Sequence, residues 1–509
     1  MIRATLTSFI LAFFVALVSL QCGASRVQPE TEARRPSEPT KERRPYTAAD
    51  KKNRSEQPPA SGAAKDIAFP PIIRSQTINA LEVNTVELHD WPLVDIQLIV
   101  KSGLAADPEK LPGLSKLVAA MLKEGTTRRS SATLAEAIDF LGARLSIRSD
   151  QENIYIKMSA MSEHLAQAMA LVAEIAMRPL FSPNELGKLK KRELNRLALQ
   201  SQNPDFLAVR EFFRVLYGDH PYAHIDTTPA VVKKVTREQL ETWHKIHFAP
   251  NNAFLVVAGD VSSAAVLASA NRYFKGWAKR NPREPEYHTP PTREDREVVV
   301  VDRPQSVQSV IYLGNLALER KNSDYLPLLV ANEVLGGSAT SRLFSDLRER
   351  RGLTYGTYSH VSEKVEISPF SLYAAVRNEV TKDAMDALMA HLDRIVKEPV
   401  PIDELADTKR YLIDSFPLKI DTSNKIAEMV ADLRIFGLPD DYWDSFRTQI
   451  DRVTQEQALK AAATYIRPQR VVIVVVGKAL AIKDALSAYG SVTIVDTDGN
   501  IIPQTKRAD

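Results

Sequence analysis

The folded part of the chain alternates between strand-like and helix-like hydrophobic patterns. Residues 91–103, WPLVDIQLIVKSG, carry apolar side chains at every second position, the period of a strand with one buried face. Residues 113–126, GLSKLVAAMLKEGT, instead repeat apolar side chains at i, i+3, i+4, i+7 and i+8, which predicts a core helix. A pair of strands, several helices and a strand over residues 251–259 follow. This order predicts an α+β unit in which helices cover one antiparallel sheet.

The same order of elements recurs later in the chain. A segment rich in proline and charge, residues 281–297, separates the two occurrences. Beyond it, residues 470–477, RVVIVVVG, match residues 251–259, NNAFLVVAG, in place and character. We therefore predict two homologous domains, residues 75–285 and residues 286–490, and a C-terminal tail over residues 491–509.

The N-terminal region has the pattern of a secretory signal. Arg3 precedes an apolar run that ends at Leu20, and Cys22 is the only cysteine of the 509 residues. We predict a lipoprotein-type signal peptide over residues 1–22, with the lipid on Cys22; the alternative is an ordinary signal cleaved after Ala24. Residues 23–74 are rich in proline and charge and predict a disordered tether.

Charge adds little to this description of the folded domains. Residues 26–56 hold nine Lys/Arg and six Asp/Glu, a local charge of +3 that equals the formal net charge of the whole chain. The remainder is close to neutral, so no nucleic-acid partner is predicted. With one cysteine, an intramolecular disulfide is excluded. The signal and tether predict a periplasmic protein of the cell envelope, anchored by its lipid to the membrane, with the outer membrane preferred.

The core helix at residues 113–126 resembles the zinc helix of the pitrilysin/insulinase family of metallopeptidases, which carries H-x-x-E-H. Without a gap, the two family histidines fall on Lys116 and Ala120, and the glutamate falls on Ala119. Histidines at i and i+4 can bind one Zn²⁺, while the glutamate polarises its bound water. Alanine can do neither, and a lysine cation opposes a dication. The resemblance therefore identifies the family and implies that this helix lacks the metal ligands.

The family's third zinc ligand is a glutamate on a later helix. The matching window, residues 196–197, holds no acid, and Glu193 lies one turn too early. We therefore expect no cofactor bound by this chain. Only Glu163-His164 and the pair His244 and His247 could form a relocated metal site, and these histidines lack the spacing of the family motif.

Residues 336–358, GGSATSRLFSDLRERRGLTYGTY, resemble the second-half signature of the same family. In that signature an arginine and a tyrosine, seven residues apart, bind the substrate backbone and stabilise the oxyanion at the scissile carbonyl. Arg348 and Tyr355 match them. Guanidinium and phenol groups are both donors suited to that role. The alternative is that Arg348 is a solvated cation at a helix C-terminus and Tyr355 is part of the core.

Together, the two resemblances imply a division of labour. We expect this chain to be the non-catalytic, substrate-binding subunit of a peptidase whose partner carries H-x-x-E-H and the zinc, with Arg348 and Tyr355 completing the partner's active site around a peptide substrate. Two alternatives remain: a structural or peptide-binding envelope protein without proteolytic function, and an independent metallopeptidase with a relocated site.

Overall fold

Two six-stranded sheets, one in each half of the chain, form the centre of the protein. The computed structural model describes residues 67–503; the predicted signal peptide, Cys22 and most of the predicted tether lie outside these residues. None of the helices within residues 67–503 has the length and hydropathy needed to span a membrane.

The first half contains six strands and eight α-helices among the described residues. The strands are β1 (Ile73–Gln76), β2 (Glu82–Glu87), β3 (Leu93–Val100), β4 (Arg144–Ser149), β5 (Ile154–Met161) and β6 (Ala253–Gly259). The helices are α1 (Leu114–Leu122), α2 (Ser131–Phe140), α3 (Leu165–Met177), α4 (Pro183–Gln200), α5 (Pro204–Tyr217), α6 (Pro229–Lys234), α7 (Arg237–His247) and α8 (Ser263–Phe274).

The second half contains six strands and seven α-helices among the described residues. The strands are β7 (Glu297–Asp302), β8 (Gln308–Leu316), β9 (Thr354–Val361), β10 (Pro369–Arg377), β11 (Val472–Gly477) and β12 (Ser491–Val495). The helices are α9 (Tyr325–Asn332), α10 (Thr381–Lys397), α11 (Ile402–Asp414), α12 (Ser423–Ile435), α13 (Tyr442–Arg452), α14 (Gln455–Tyr465) and α15 (Ala479–Leu486).

The two sheets share the order of five strands, and only the edge strand differs. Strand β1 precedes the other strands of its half and is antiparallel to β2, whereas β12 follows the others and is parallel to β7. The first runs β1-β2-β6-β3-β5-β4, and the second runs β12-β7-β11-β8-β10-β9. The predicted α+β fold with two homologous halves is therefore confirmed. One detail differs: β2 pairs with β6, and β7 pairs with β11 and β12, in parallel, so that the sheets are mixed rather than antiparallel. The last large strand of each half returns after a long helical crossover, which allows parallel pairing.

Each half also contributes one helix to the other half's sheet. Helix α5 of the first half packs on β8 and β11, while α12 of the second half packs on β3 and β6. On the first of these interfaces, Phe212 is fully buried and its ring centroid lies 4.8 Å from that of Tyr312. On the second, Arg434 Nε donates to Asn84 Oδ1 at 2.8 Å, and Lys157 Nζ lies 2.7 Å from Glu428 Oε1. Each sheet is therefore covered in part by a helix from the other half.

Each half covers part of the other half's sheet with one helix, and we call this arrangement the helix exchange. It predicts that the two halves unfold together. We expect Phe212→Ala to lower the free energy of unfolding by about 3–5 kcal/mol, because it removes a fully buried ring at the interface between the halves. Urea denaturation should show one transition by both circular dichroism and tryptophan fluorescence. Leu199→Ala, on a side chain that is 75% exposed, is the control and should change the stability by less than about 0.5 kcal/mol. Two separate transitions would contradict the interdependence.

Candidate functional site

Helix α1, which resembles the family's zinc helix, begins at a glycine that no other residue can replace unless the neighbouring backbone moves. Gly113 has φ of 83°, and a Cβ there would lie 2.4 Å from Cα of Thr227. Asp107 holds the same turn, because its carboxylate accepts hydrogen bonds from the backbone N–H groups of Gly113 and Ser115 at 2.8 and 2.9 Å. The start of α1 is therefore pressed against the segment that carries Asp226.

Two cations occupy the positions where the family has metal ligands, and both contact one carboxylate. Lys116 Nζ lies 3.3 Å from Asp226 Oδ1 and donates to the carbonyl oxygen of Ile225 at 2.8 Å. Arg196, in the window of the third ligand, donates through both terminal nitrogens to Asp226, at 2.8 and 3.1 Å. Its Nε donates to Glu193 at 2.6 Å. We call these residues the Lys116–Asp226–Arg196 cluster.

The charged groups of the cluster are paired with one another. The side chain of Asp226 is only 6% exposed. Burial alone would raise the pKa of Asp226, but the hydrogen bonds from Arg196 and the charges of Lys116 and Arg196 hold this pKa below its ordinary value. Arg196 responds in the opposite sense: its burial lowers the guanidinium pKa, and the bonds to Asp226 and Glu193 more than offset this, so that the pKa is raised. A lysine and an arginine on one carboxylate leave no ligand set for a divalent cation.

The remaining positions of the motif also lack donor atoms. Ala119 is 2% exposed and lies in the first-half core, and Ala120 packs at the edge of the same core. Within residues 67–503, no group of three or more His, Cys, Asp or Glu side chains is placed to hold a metal ion. Zinc therefore does not fit the residues present at these positions.

The histidines that could have formed a relocated site are separated and used elsewhere. His244 Nε2 lies 2.8 Å from the carbonyl oxygen of Ala176, and His247 Nδ1 lies 3.0 Å from Ser102 Oγ. Burial lowers the pKa of both imidazoles to about 4, so they are neutral at pH 7. His164 Nε2 lies 3.8 Å from Oε1 of its neighbour Glu163, within a 3₁₀ turn.

His220, in a His-Pro-Tyr motif that resembles the family's scaffold, has a structural role. Its Nδ1 accepts a hydrogen bond from the backbone N–H of Tyr222 at 3.1 Å. Its ring also stacks on Tyr287, with 5.3 Å between centroids. The Tyr222 hydroxyl then donates to Glu152 at the tip of the β4–β5 hairpin, and Glu152 accepts from the backbone N–H of Val365 in the second half at 2.7 Å. The motif therefore joins the two halves.

Arg348 lies on a widened, π-helical turn, Phe344–Arg350, and its side chain is exposed. The neighbouring cations are paired with an acid. Asp346 accepts hydrogen bonds from Nε of Arg350 and from Nε of Arg351, both at 2.9 Å. Arg348 differs from them, since it has no ion pair or hydrogen bond with any other described side chain. Its guanidinium lies 4.6 Å from the ring centroid of Phe344. Its charge therefore has no anionic partner among the described side chains.

Tyr355 is 79% exposed, so it is not part of the core. It lies on β9, the outermost strand of the second sheet, at a bulge where Tyr355 and Gly356 oppose the single residue Ala375 of β10. The Thr354 hydroxyl fastens this bulge by donating to the carbonyl oxygen of Ala375 at 2.6 Å. The bulge turns Tyr355 outward, although strict alternation would place it on the buried face with Thr357.

The residues predicted to form the site fall into two groups, which the contacts among the described residues do not connect. No hydrogen bond, ion pair or ring contact among the described residues joins Arg348 or Tyr355 to the Lys116–Asp226–Arg196 cluster. Sequence reasoning missed Asp226, because no local spacing distinguishes this acid from others. Its partners Arg196 and Lys116 lie 30 and 110 residues away, so only the fold reveals it.

Comparison with known proteins agrees with this geometry. A family model described as "Insulinase (Peptidase family M16)" matches residues 83–221, and one described as "Peptidase M16 inactive domain" matches residues 234–412. The fold and the motif positions define a metallopeptidase homologue without the metal-ligand set. The chain belongs to peptidase family M16, the insulinase family, as its sequence predicts.

Solved structures with the same fold include two bacterial proteins. A crystal structure of a peptidase M16 inactive domain from Pseudomonas fluorescens is 27% identical, with a TM-score of 0.75 over 80% of this chain and 98% of that chain. A Helicobacter pylori protease, 18% identical, has a TM-score of 0.75 over 80% of this chain and 99% of that one, and supports the fold alone.

Related sequences have names that point in two directions. An uncharacterized zinc protease YmxG of Bacillus subtilis is 23% identical over 65% of this chain and 80% of its own length. The non-peptidase homolog YmxG of Helicobacter pylori is 24% identical over 75% of this chain and 89% of its own length.

The Lys116–Asp226–Arg196 cluster predicts a defined loss of stability. We expect Asp226→Asn to lower the free energy of unfolding at pH 7 by about 1.5–3 kcal/mol, because it leaves two cations without their carboxylate. The pKa of Asp226 is lower in the folded than in the unfolded state. Its contribution is therefore present above the unfolded pKa of about 4 and is lost as pH falls through the folded pKa.

Urea denaturation between pH 3 and pH 7 measures this difference. The gap between wild type and Asp226→Asn should narrow toward acid pH. Asp421→Asn is the control, since Asp421 forms an exposed pair with Lys425 and its loss should change the stability by less than about 0.5 kcal/mol. A gap that stays constant with pH would contradict the ionic role of Asp226.

Proposed function

We propose that this chain is a non-catalytic, substrate-binding subunit of a heteromeric zinc metallopeptidase. The observation that carries the proposal is the contrast between its two sites. The metal-ligand positions are closed by an internal ion cluster, whereas Arg348 is exposed without an anionic partner and Tyr355 is exposed on an outermost strand. A chain with free substrate-binding donors and no metal site needs the bond-breaking chemistry from a partner.

In this proposal the partner is a family M16 subunit that carries H-x-x-E-H and its zinc. Arg348 and Tyr355 donate hydrogen bonds to the backbone of an extended peptide and to the carbonyl oxygen that becomes negatively charged as it is attacked. Donors already aimed at that oxygen stabilise the transition state, and removal of one costs about 2.7–4 kcal/mol. The peptide itself pairs with an exposed strand edge of the partner.

The proposed location is the cell envelope, with a lipid anchor on Cys22 that faces the complex toward the periplasm. Cys22 and the signal-like segment before it lie outside the described residues, so this location rests on the sequence pattern alone.

A non-proteolytic role is the second candidate, and the names of similar proteins favour it: one matching model is described as an inactive domain, and one relative is called a non-peptidase homolog. In that role the exposed donors hold a peptide without cleaving it. The discriminating measurement is the activity of the co-purified partner with and without this chain. Full activity of the partner alone would favour the non-proteolytic role.

The ligand-free motif predicts the metal content of the protein. We expect the chain purified alone to hold far less than one zinc per molecule by inductively coupled plasma mass spectrometry and to hydrolyse no peptide. The control is the complex with its partner, isolated gently from the cell envelope, which should retain zinc and activity. One tightly held zinc per molecule of this chain alone would contradict the proposal and revive an independent metallopeptidase.

The donors predict a loss of turnover in the complex. We expect Arg348→Ala to reduce kcat for a fluorogenic peptide by about 10²–10³-fold and Tyr355→Phe to reduce it too, with the zinc content of the complex unchanged. Matched controls are Arg350→Ala, which removes the same charge from a cation paired with Asp346, and Tyr358→Phe on the same strand. Unchanged cleavage with both Arg348→Ala and Tyr355→Phe would refute the assignment.

A further inference from the structure

A cavity of about 580 Å³ opens on the first half, between helices α2, α3 and α8. Its apolar floor includes Leu141, Leu171, Ala173 and Met177. It shares no residue with the Lys116–Asp226–Arg196 cluster or with Arg348 and Tyr355. The volume lies within the range of about 300–1,000 Å³ that is typical of small-molecule sites.

Four arginines line this cavity, against a single acid. Arg129 forms an ion pair with that acid, Glu174, which also accepts a hydrogen bond from the hydroxyl of Thr126. The guanidinium groups of Arg128, Arg178 and Arg272 form no ion pair or hydrogen bond with the other described residues. We call this site the arginine-rimmed cavity.

A second cavity continues the site and extends its positive charge. It measures about 230 Å³ and shares Met177, Arg178 and Gly276 with the first. It adds Lys245 and Arg280, and no acid lines it. Its histidine, His244, is neutral at pH 7, because burial lowers its pKa to about 4. The guanidinium of Arg272 lies 5.3 Å from the ring centroid of Tyr273, but none of the three guanidinium groups has an anionic partner among the described residues. Three like charges around one opening repel one another, and a bound anion would relieve that repulsion.

The floor determines which kind of anion fits. The floor is formed by turns of the helices α2, α3 and α8, so it offers apolar side chains and no strand edge with which a peptide backbone could pair. An acyl chain needs only apolar contact. Guanidinium groups bind phosphate and carboxylate through paired N–H donors.

We propose that the arginine-rimmed cavity binds an amphiphilic anion, a phosphate or carboxylate head attached to an acyl chain. The head is bound by Arg128, Arg178 and Arg272, and the chain lies on the floor formed by Leu171 and Met177. The chemistry is the same whether the ligand is a phospholipid of a bilayer or a soluble monoacyl anion.

Calorimetric titration with decyl phosphate, below its micelle concentration, tests the proposal. The protein is the full chain with Cys22→Ser, so that lipid attached at that position cannot contribute. We expect decyl phosphate to bind, with inorganic phosphate much weaker and neutral decyl maltoside weaker by at least about tenfold, since it lacks the charge. Equal binding of decyl maltoside would overturn the proposal, as would no binding of decyl phosphate.

Variants locate the binding at the cavity. Arg178→Gln with Arg272→Gln should weaken the binding of decyl phosphate by at least about tenfold. The fold should be kept, because both side chains are exposed and neither loses an ion pair or a hydrogen bond to another described residue. The matched control, Arg283→Gln with Arg410→Gln, removes two exposed arginines elsewhere and should change the affinity by less than about twofold. Ala170→Phe, which fills the floor, should also abolish binding. An unchanged affinity in the Arg178/Arg272 variant would refute the site.

Two further arms identify the source of the ligand and its class. Flotation with phosphatidylcholine vesicles, with and without phosphatidylglycerol, supports a bilayer lipid if the protein floats only with the anionic vesicles and the double variant does not. Binding of decyl phosphate without flotation supports a soluble amphiphile. Displacement of decyl phosphate by an acidic peptide of higher affinity would overturn the lipid-like assignment.

Discussion

The two sheets of this protein cannot be covered without the exchange of α5 and α12. Helix α5 leaves the first half to pack on β8 and β11, and α12 of the second half packs on β3 and β6. A sheet with a bare apolar face would expose a surface too large for a stable monomer. The exchange therefore joins the two halves in one compact unit, which contains both the Lys116–Asp226–Arg196 cluster of the first half and the exposed Arg348 and Tyr355 of the second.

Two buried aspartates, Asp226 and Asp346, form ion pairs with the cations around the candidate site residues. Asp226 forms ion pairs with Lys116 and Arg196, which lie at the positions where the family has metal ligands. Asp346 takes Arg350 and Arg351, and also His391 from α10, and leaves Arg348 alone among its neighbours. Asp226 pairs with the cations at the metal-ligand positions, whereas Asp346 leaves Arg348 without an ion pair. Both effects follow from which cations reach a buried acid rather than from the number of charges.

The sequence predicts what depends on neighbours along the chain. The strand predicted over residues 91–103 is β3 (Leu93–Val100), and the core helix predicted over residues 113–126 is α1 (Leu114–Leu122). Contacts between residues that are distant in the chain could not be predicted, because the hydrophobic period of a strand or helix does not indicate which element it packs against. The parallel pairing of β2 with β6, the helix exchange, the role of Asp226 and the bulge that exposes Tyr355 all belong to this second kind.

The loss of the metal motif is therefore more than the absence of three ligands. If Lys116 and Ala120 alone became histidines, Arg196 would still place a guanidinium in the window of the third ligand, and Asp226 would still neutralise it. A bound dication would have to displace that charge from a carboxylate that is almost fully buried, at a high electrostatic cost. Recovery of zinc binding would require coordinated change on α1 and α4. This barrier separates the site from one that has merely lost a ligand.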